Sequence, residues 1–205
     1  MAWIAYGTAT AATLVIWAVD WSIPWVAERE LWLSRASGWA ACTALALTLS
    51  MTPLSRAFVW ATARPISGAQ ITALRRALGI SSAWLALLHG AWSFVVYLDA
   101  AWTAVSYWPY LRAGLAALVV LLVLLSTSFA GFNRRLRIRL WKPLHRLSYI
   151  AGLLVFQHLL LAPFAPKRLV LGLVALLLCI ELARFLPRRS KGVEERDREA
   201  CDPAT

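Results

Sequence analysis

Charge is scarce in this chain, and negative charge is scarcer still. Only 15% of its 205 residues are charged, and Asp and Glu together number 10 against 21 Lys and Arg. A soluble domain carries about a quarter charged residues. With 60% of the residues hydrophobic, the composition excludes an ordinary soluble domain and points to an integral membrane protein. The three cysteines, Cys42, Cys179 and Cys201, give no disulfide framework and no CxxC metal motif. No Rossmann-type glycine fingerprint is present, so reducing equivalents for any redox role must come from another protein or a diffusible carrier. No Asp, Glu, Lys or Arg lies in the central part of an apolar run. That speaks against a proton- or ion-coupled transporter, which needs a charge near the membrane midplane.

Long apolar runs are abundant. A membrane crossing takes about 20 mostly apolar residues. Met1–Val19, Ala36–Ser55, Ala77–Leu98, Ala113–Asn133 and Leu147–Pro166 qualify. Leu169–Ile180 is shorter and extends through Glu181 to Phe185. The fold class expected is an all-α integral membrane protein, a six-helix transmembrane bundle over residues 1–187. These spans leave no room for a soluble domain. Residues 188–205 are polar, mix both charge signs and read as a disordered tail. The first run lacks the positive n-region of a secretory signal and is expected to be a retained helix.

Orientation follows from the positive residues between spans. In a six-span arrangement the second and fourth loops and the C-terminal end from Arg184 onward share one side and hold sixteen of the 21 Lys and Arg. Arg56, Arg64, Arg75, Arg76 and a dense cluster at 134–146 are among them. Both termini are therefore expected to be cytoplasmic. The net charge of +11 reflects this asymmetry and is no sign of nucleic-acid binding, because the basic residues sit at helix ends. The 12 tryptophans read as interfacial anchors of the lipid bilayer: Trp17, Trp21, Trp25, Trp32, Trp39, Trp102 and Trp108 outside, Trp60 and Trp141 inside.

Ionisable groups within a bilayer are rare and mark function by default. Two of the three histidines qualify. His89 lies twelve residues after Ala77, roughly 18 Å along a helix axis. His158 lies thirteen residues after His145 at the mouth of the fifth span, roughly 20 Å deep. Both spans run outward, so the two imidazoles share one depth in the outer half of the membrane. Such a pair can clamp a haem iron from both faces, as in helical bundles that build cofactor sites from facing helices. The competing reading is a hydrogen-bonded bridge between helices. Trp84 and Trp92 flank His89 and are expected mainly to pack between helices, with a place in the pocket wall as the alternative.

The inner level is different. Arg75 precedes His89 by fourteen residues, which returns to within about 40° of the same helix face about 21 Å away. An arginine stays protonated and is a poor iron ligand, but it suits a propionate, a flavin phosphate or a quinone carbonyl. His145 reads as a headgroup-level polar residue. Its spacing from His158 puts the two side chains about 140° apart on a regular helix. If both face the interior, the fifth span must be interrupted, and Pro143 or Gly152 offers a place.

The stretches "SGWAACTALALTLSMTPLSR", "LRRALGISSAWLALLHGAWSFVVYLD", "WPYLRAG", "LLSTSFAGFNRRL" and "WKPLHRLSYIAGLLVFQHL" occur in an order and spacing that resembles the ferric-reductase-like transmembrane family. The likeness runs from about Ser37 to about Leu161. It is nearest to the short bacterial branch of haem-binding subunits that serve periplasmic methionine sulfoxide reduction. The resemblance implies a b-type cytochrome of the bacterial inner membrane, an electron-transfer subunit rather than a stand-alone catalyst. It implies haem b on His89 and His158. It places the family's third histidine at His145 and its arginine at Arg75, with FMN or quinone as further cofactors. Where the wider family has two histidines on each of two spans and two haems, this sequence has one on the third span. A second haem would rest on His145. The implied donors are a cytoplasmic flavin reductase or membrane quinol. The implied acceptor is the molybdenum-containing methionine sulfoxide reductase MsrP. The alternatives are a ferric-reductase or b561-like haem oxidoreductase with another acceptor, or a transporter or scaffold without redox chemistry.

Overall fold

A computed structural model describes eight residues between 7 and 18 and residues 26–62, 66–128 and 144–185. The eight early residues are helical. Beyond them come α1 (Val26–Thr62), α2 (Gly68–Val96), α3 (Trp102–Tyr107), α4 (Pro109–Ser128), α5 (Leu147–Leu161) and α6 (Lys167–Leu182), with a 3-10 turn at Ala183–Phe185. Among the described residues every regular element is helical. Trp32–Thr62 of α1, all of α2 and all of α4 are long and apolar enough to cross a membrane. α5 is equally apolar but has 15 residues.

Apolar side chains cover the outside of the bundle. Val95, Leu153, Leu178 and Leu182 are each more than 60% exposed. In water this surface would be an aggregation hazard, whereas against lipid tails it costs nothing. The interior is built from small residues. Ala83, Ala117 and Ala151 are buried almost completely, and Leu45, Ala83, Leu121 and Ala151 form a core drawn from four helices. Small side chains let membrane helices approach closely, so dispersion contacts and a few hydrogen bonds supply the cohesion. One such bond runs from the buried Ser82 hydroxyl on α2 to the Ala41 carbonyl on α1 at 3.0 Å.

Several boundaries differ from the sequence expectation for identifiable reasons. The fourth span starts at Pro109 rather than Ala113. Proline suits the first helical position, and it holds Trp108 before it in extended backbone. α5 stops at Leu161 rather than running to Pro166, with Ala162 extended at ψ 125° because Pro163 follows it. The Lys167 ammonium donates to the Leu159 and Ala162 carbonyls left open at that end. α2 begins nine residues before Ala77, at Gly68, so Arg75 and Arg76 ride on the same helix as His89. After α2, Asp99 and Ala100 both adopt left-handed backbone, φ 47° and 56°, a conformation costing roughly 1–2 kcal/mol for a residue with a β-carbon. This turn leads into α3 and sets Trp102 against Phe94, ring centres 4.6 Å apart. The basic cluster at 134–143, Trp17, Trp21, Trp25 and Trp141, Pro143, Cys201 and the tail lie outside the described residues.

Candidate cofactor site

α1 packs most extensively on α2, and α4 on α5. His89 belongs to α2 and His158 to α5, one on each pair. The two rings meet across the seam with centres 6.3 Å apart and planes inclined at 75°. The shared depth read from residue counts is thus a shared place.

Each ring is anchored at one nitrogen. His89 Nδ1 lies 2.8 Å from the Ser34 carbonyl oxygen, and His158 Nδ1 lies 2.7 Å from the Tyr110 carbonyl oxygen. A carbonyl can only accept, so both Nδ1 atoms carry the proton. In the neutral ring this leaves the Nε2 lone pair available, the arrangement of a metal-ligating histidine held by an outer hydrogen bond. Ser34 is fixed in turn, because its hydroxyl pairs with that of Ser93 at 2.8 Å, one turn beyond His89 on α2.

The separation fits a shared metal. A five-membered ring with bonds of about 1.33 Å has its atoms about 1.1 Å from the centre. Metal–imidazole bonds are about 2.0–2.1 Å. Two imidazoles bound in trans through Nε2 therefore need centres about 6.3 Å apart, which is the separation observed. Among the described residues no group of three or more His, Cys, Asp or Glu could hold a metal ion. A metal here would have two protein ligands and must bring the rest of its coordination shell with it, as a macrocycle does.

A cavity of about 420 Å3 surrounds the two rings, within the size range of cofactor sites. Its walls are mostly apolar and include Leu45, Leu118, Leu121 and Val155. Its mouth gathers Arg35 from α1, Leu98 and Trp102 beyond α2, and Phe164–Pro166 beyond α5. Arg35 brings a cation to this otherwise greasy opening.

The other residues singled out from sequence lie elsewhere. Arg75 donates to the Thr52 hydroxyl on α1 at 3.1 Å, far down α2 from His89. His145 stands before α5, separated from it by a turn at Arg146. The backbone at Arg146 stays in the right-handed helical region, φ −69° and ψ −19°, and α5 runs unbroken through Gly152. Trp84 and Trp92 are about 40% exposed and do not line the cavity, whereas Trp39 and Trp102 do. Reasoning from sequence missed Arg35 as a cavity residue. It also missed the Ser34 and Tyr110 carbonyls, which have no side-chain signature.

The family model for the ferric reductase like transmembrane component matches residues 37–156. That stretch includes Arg75, His89 and His145 and stops two residues short of His158. Several curated relatives carry the description protein-methionine-sulfoxide reductase heme-binding subunit MsrQ. The one from Deinococcus radiodurans is 36% identical over 132 residues, 61% of this chain and 59% of the relative. The one from Xanthomonas axonopodis pv. citri is 34% identical over 161 residues, 75% of this chain and 67% of the relative. The one from Rhodospirillum rubrum is 35% identical over 96 residues, 45% of this chain and 46% of the relative. The chain thus spans between about half and two thirds of these relatives. An apolar helical bundle, two facing histidines and a family match over more than half the length agree: the chain belongs to the ferric reductase like transmembrane component family.

Proposed function

We propose that this chain is a multi-pass membrane cytochrome of the b type. In this reading it relays electrons from a cytoplasmic flavin reductase or quinol to a periplasmic methionine sulfoxide reductase of the MsrP kind. One observation carries the reading: two imidazoles, each donating its Nδ1–H to a backbone carbonyl, stand 6.3 Å apart between ring centres inside an apolar cavity. The relatives' description as heme-binding subunits of methionine sulfoxide reductase supports the choice of group and partner. Haem b, when bound, supplies reversible one-electron chemistry.

The chain's own residues hold and screen that group. His89 and His158 would hold the haem iron through Nε2. The Ser34 and Tyr110 carbonyls fix the ring tautomers and raise ligand basicity. Leu45, Leu118, Leu121 and Val155 exclude water. Arg35 at the mouth is placed to neutralise a propionate by a charge-assisted hydrogen bond. Arg75 and His145, toward the opposite end, are the candidates for receiving reducing equivalents from FMN or quinone, and His145 for any second haem.

The topology that goes with this reading has six spans, both termini cytoplasmic and the protein in a bacterial inner membrane. The cavity mouth supports it. Its residues Arg35, Leu98, Trp102 and Phe164–Pro166 belong, in this numbering of the spans, to the first, third and fifth connections or their flanks, which alternate crossing puts on one face. In the same reading the basic connections fall on the cytoplasmic face.

Purified protein is expected to show a reducible haem b absorption spectrum, and His89→Ala and His158→Ala each to abolish or grossly perturb it. A colourless, well-folded preparation from haem-replete cells would sink the reading. Reduced protein that fails to reoxidise on adding a periplasmic methionine sulfoxide reductase would leave the haem and reject this acceptor.

A further inference from the structure

The two histidine anchors are built alike. The carbonyl that accepts from His89 belongs to Ser34, and four residues further along α1 is Gly38. The carbonyl that accepts from His158 belongs to Tyr110, and four residues further along α4 is Gly114. In an α-helix the carbonyl of residue i takes the amide hydrogen of residue i+4. Each histidine therefore shares a carbonyl with the helix bond of a glycine one turn along, using the second lone pair of that oxygen.

The glycines have a steric reason to be there. A β-carbon at position 38 would stand 3.0 Å from His89 Nδ1, 3.1 Å from Cε1 and 3.4 Å from Cγ. At position 114 the same three atoms of His158 would lie at 2.8, 3.1 and 3.5 Å. The order of atoms is the same at both places, so both rings lie against the backbone in the same attitude. Nδ1 is the nearest ring atom at both places, so a ring that gives way to the added carbon strains its bond to the carbonyl first, and more at 114 than at 38. Gly79 and Gly172 face no such limit: a β-carbon at 79 meets only Thr48 at 3.9 Å, and one at 172 meets nothing within 4 Å.

We propose that Gly38 and Gly114 are paired positioning residues: each opens a notch in its helix that lets the facing histidine lie flat and bond the carbonyl one turn earlier, and together they set the tautomer and angle of both imidazoles. The link from ring angle to cofactor electronics rests on the haem reading. The notch itself does not. Losing the Nδ1 bond makes an imidazole a weaker electron donor, which destabilises ferric iron and raises the reduction potential.

The chain has only three histidines, so ring nitrogens can be resolved by NMR in protein labelled with 15N-histidine and reduced with dithionite. In the native protein two of the three rings are expected wholly protonated at Nδ1. Gly38→Ala is expected to move the His89 nitrogens and leave His158 alone: toward the other tautomer in haem-free protein, and as the loss of the Nδ1–H hydrogen bond where iron holds Nε2. Gly114→Ala should do the reverse with the larger shift, and Gly172→Ala should do neither. In haem-loaded samples the first two variants should also move the largest ferric EPR g-value and raise the midpoint potential. Unchanged ring nitrogens in both variants would overturn the proposal, with or without haem in the sample. A native protein without haem would reject the cytochrome reading alone, since the tautomers are still read. If Gly114→Ala does not accumulate in membranes, rescue by adding His158→Ala, which removes the ring the methyl strikes, supports the notch. Failure of that rescue counts against it.

Discussion

The two ends of the bundle use hydrogen bonds in opposite ways. At the cavity end, two neutral rings that line the cavity donate their Nδ1–H to backbone carbonyls and leave the other nitrogen uncommitted. At the other end, long cations use their donors to tie helices together. Arg75 reaches Thr52, Arg56 reaches the Arg184 carbonyl at 2.8 Å, and Arg76 reaches the Ser128 carbonyl at the end of α4. Arg184 pairs with Glu181 and the Tyr149 hydroxyl. The first end holds a place open and the second closes one. A guanidinium with five donors satisfies helix ends well. An imidazole with one donor committed has only a lone pair left to offer, and that lone pair invites a metal.

The sharpest way to break this contrast is to exchange functions between the ends. His158→Ala should remove essentially all reducible absorption, whereas Arg75→Gln should keep it and alter at most the rate of reduction by an added donor. Loss of absorption in Arg75→Gln would erase the distinction. Next in size is the core beneath the cavity. Ala151 is fully buried among Leu45, Ala83 and Leu121, so Ala151→Leu should cost about 1–3 kcal/mol. A lowered melting temperature in detergent and a distorted spectrum would report it. Ser93→Ala removes the hydroxyl partner of Ser34 and should cost about 0.5–1.5 kcal/mol, with a small movement of the His89 nitrogens and none at His158. Smallest is Glu181→Gln at the closed end. Its partly exposed pair with Arg184 should contribute about 0–1 kcal/mol, and the effect should shrink as salt is added. A Glu181→Gln effect larger than that of Ala151→Leu would mean the arginine end, not the small-residue core, holds the bundle together.

Much of this architecture was legible in the sequence. Apolar runs located the helices because lipid demands them, and counting residues from span starts put His89 and His158 at one level. Boundaries were less legible where local chemistry overrode hydropathy. Pro109 and Pro163 decided where α4 begins and α5 ends, and α2 continued through two arginines that a charge-free window excludes. The spacing of His145 and His158 left two readings open, an irregular span or two different surfaces, and α5 is regular from Leu147 to Leu161. The anchors of the rings were invisible because they are backbone atoms. Gly38 and Gly114 look like any other helix glycines until a facing ring gives them a purpose. Arg35 was counted as a loop charge, and only its position on α1 brings it to the cavity.

Each imidazole finds its carbonyl within its own helix pair, His89 on α2 against α1 and His158 on α5 against α4. The site is therefore divisible by halves. Each hairpin can be inserted and finished as it leaves the ribosome, with its ring already fixed, and the iron-bearing group then acts as a rivet between two prefabricated parts. Two separately expressed halves, split near residue 100, should then acquire the chromophore together and neither alone.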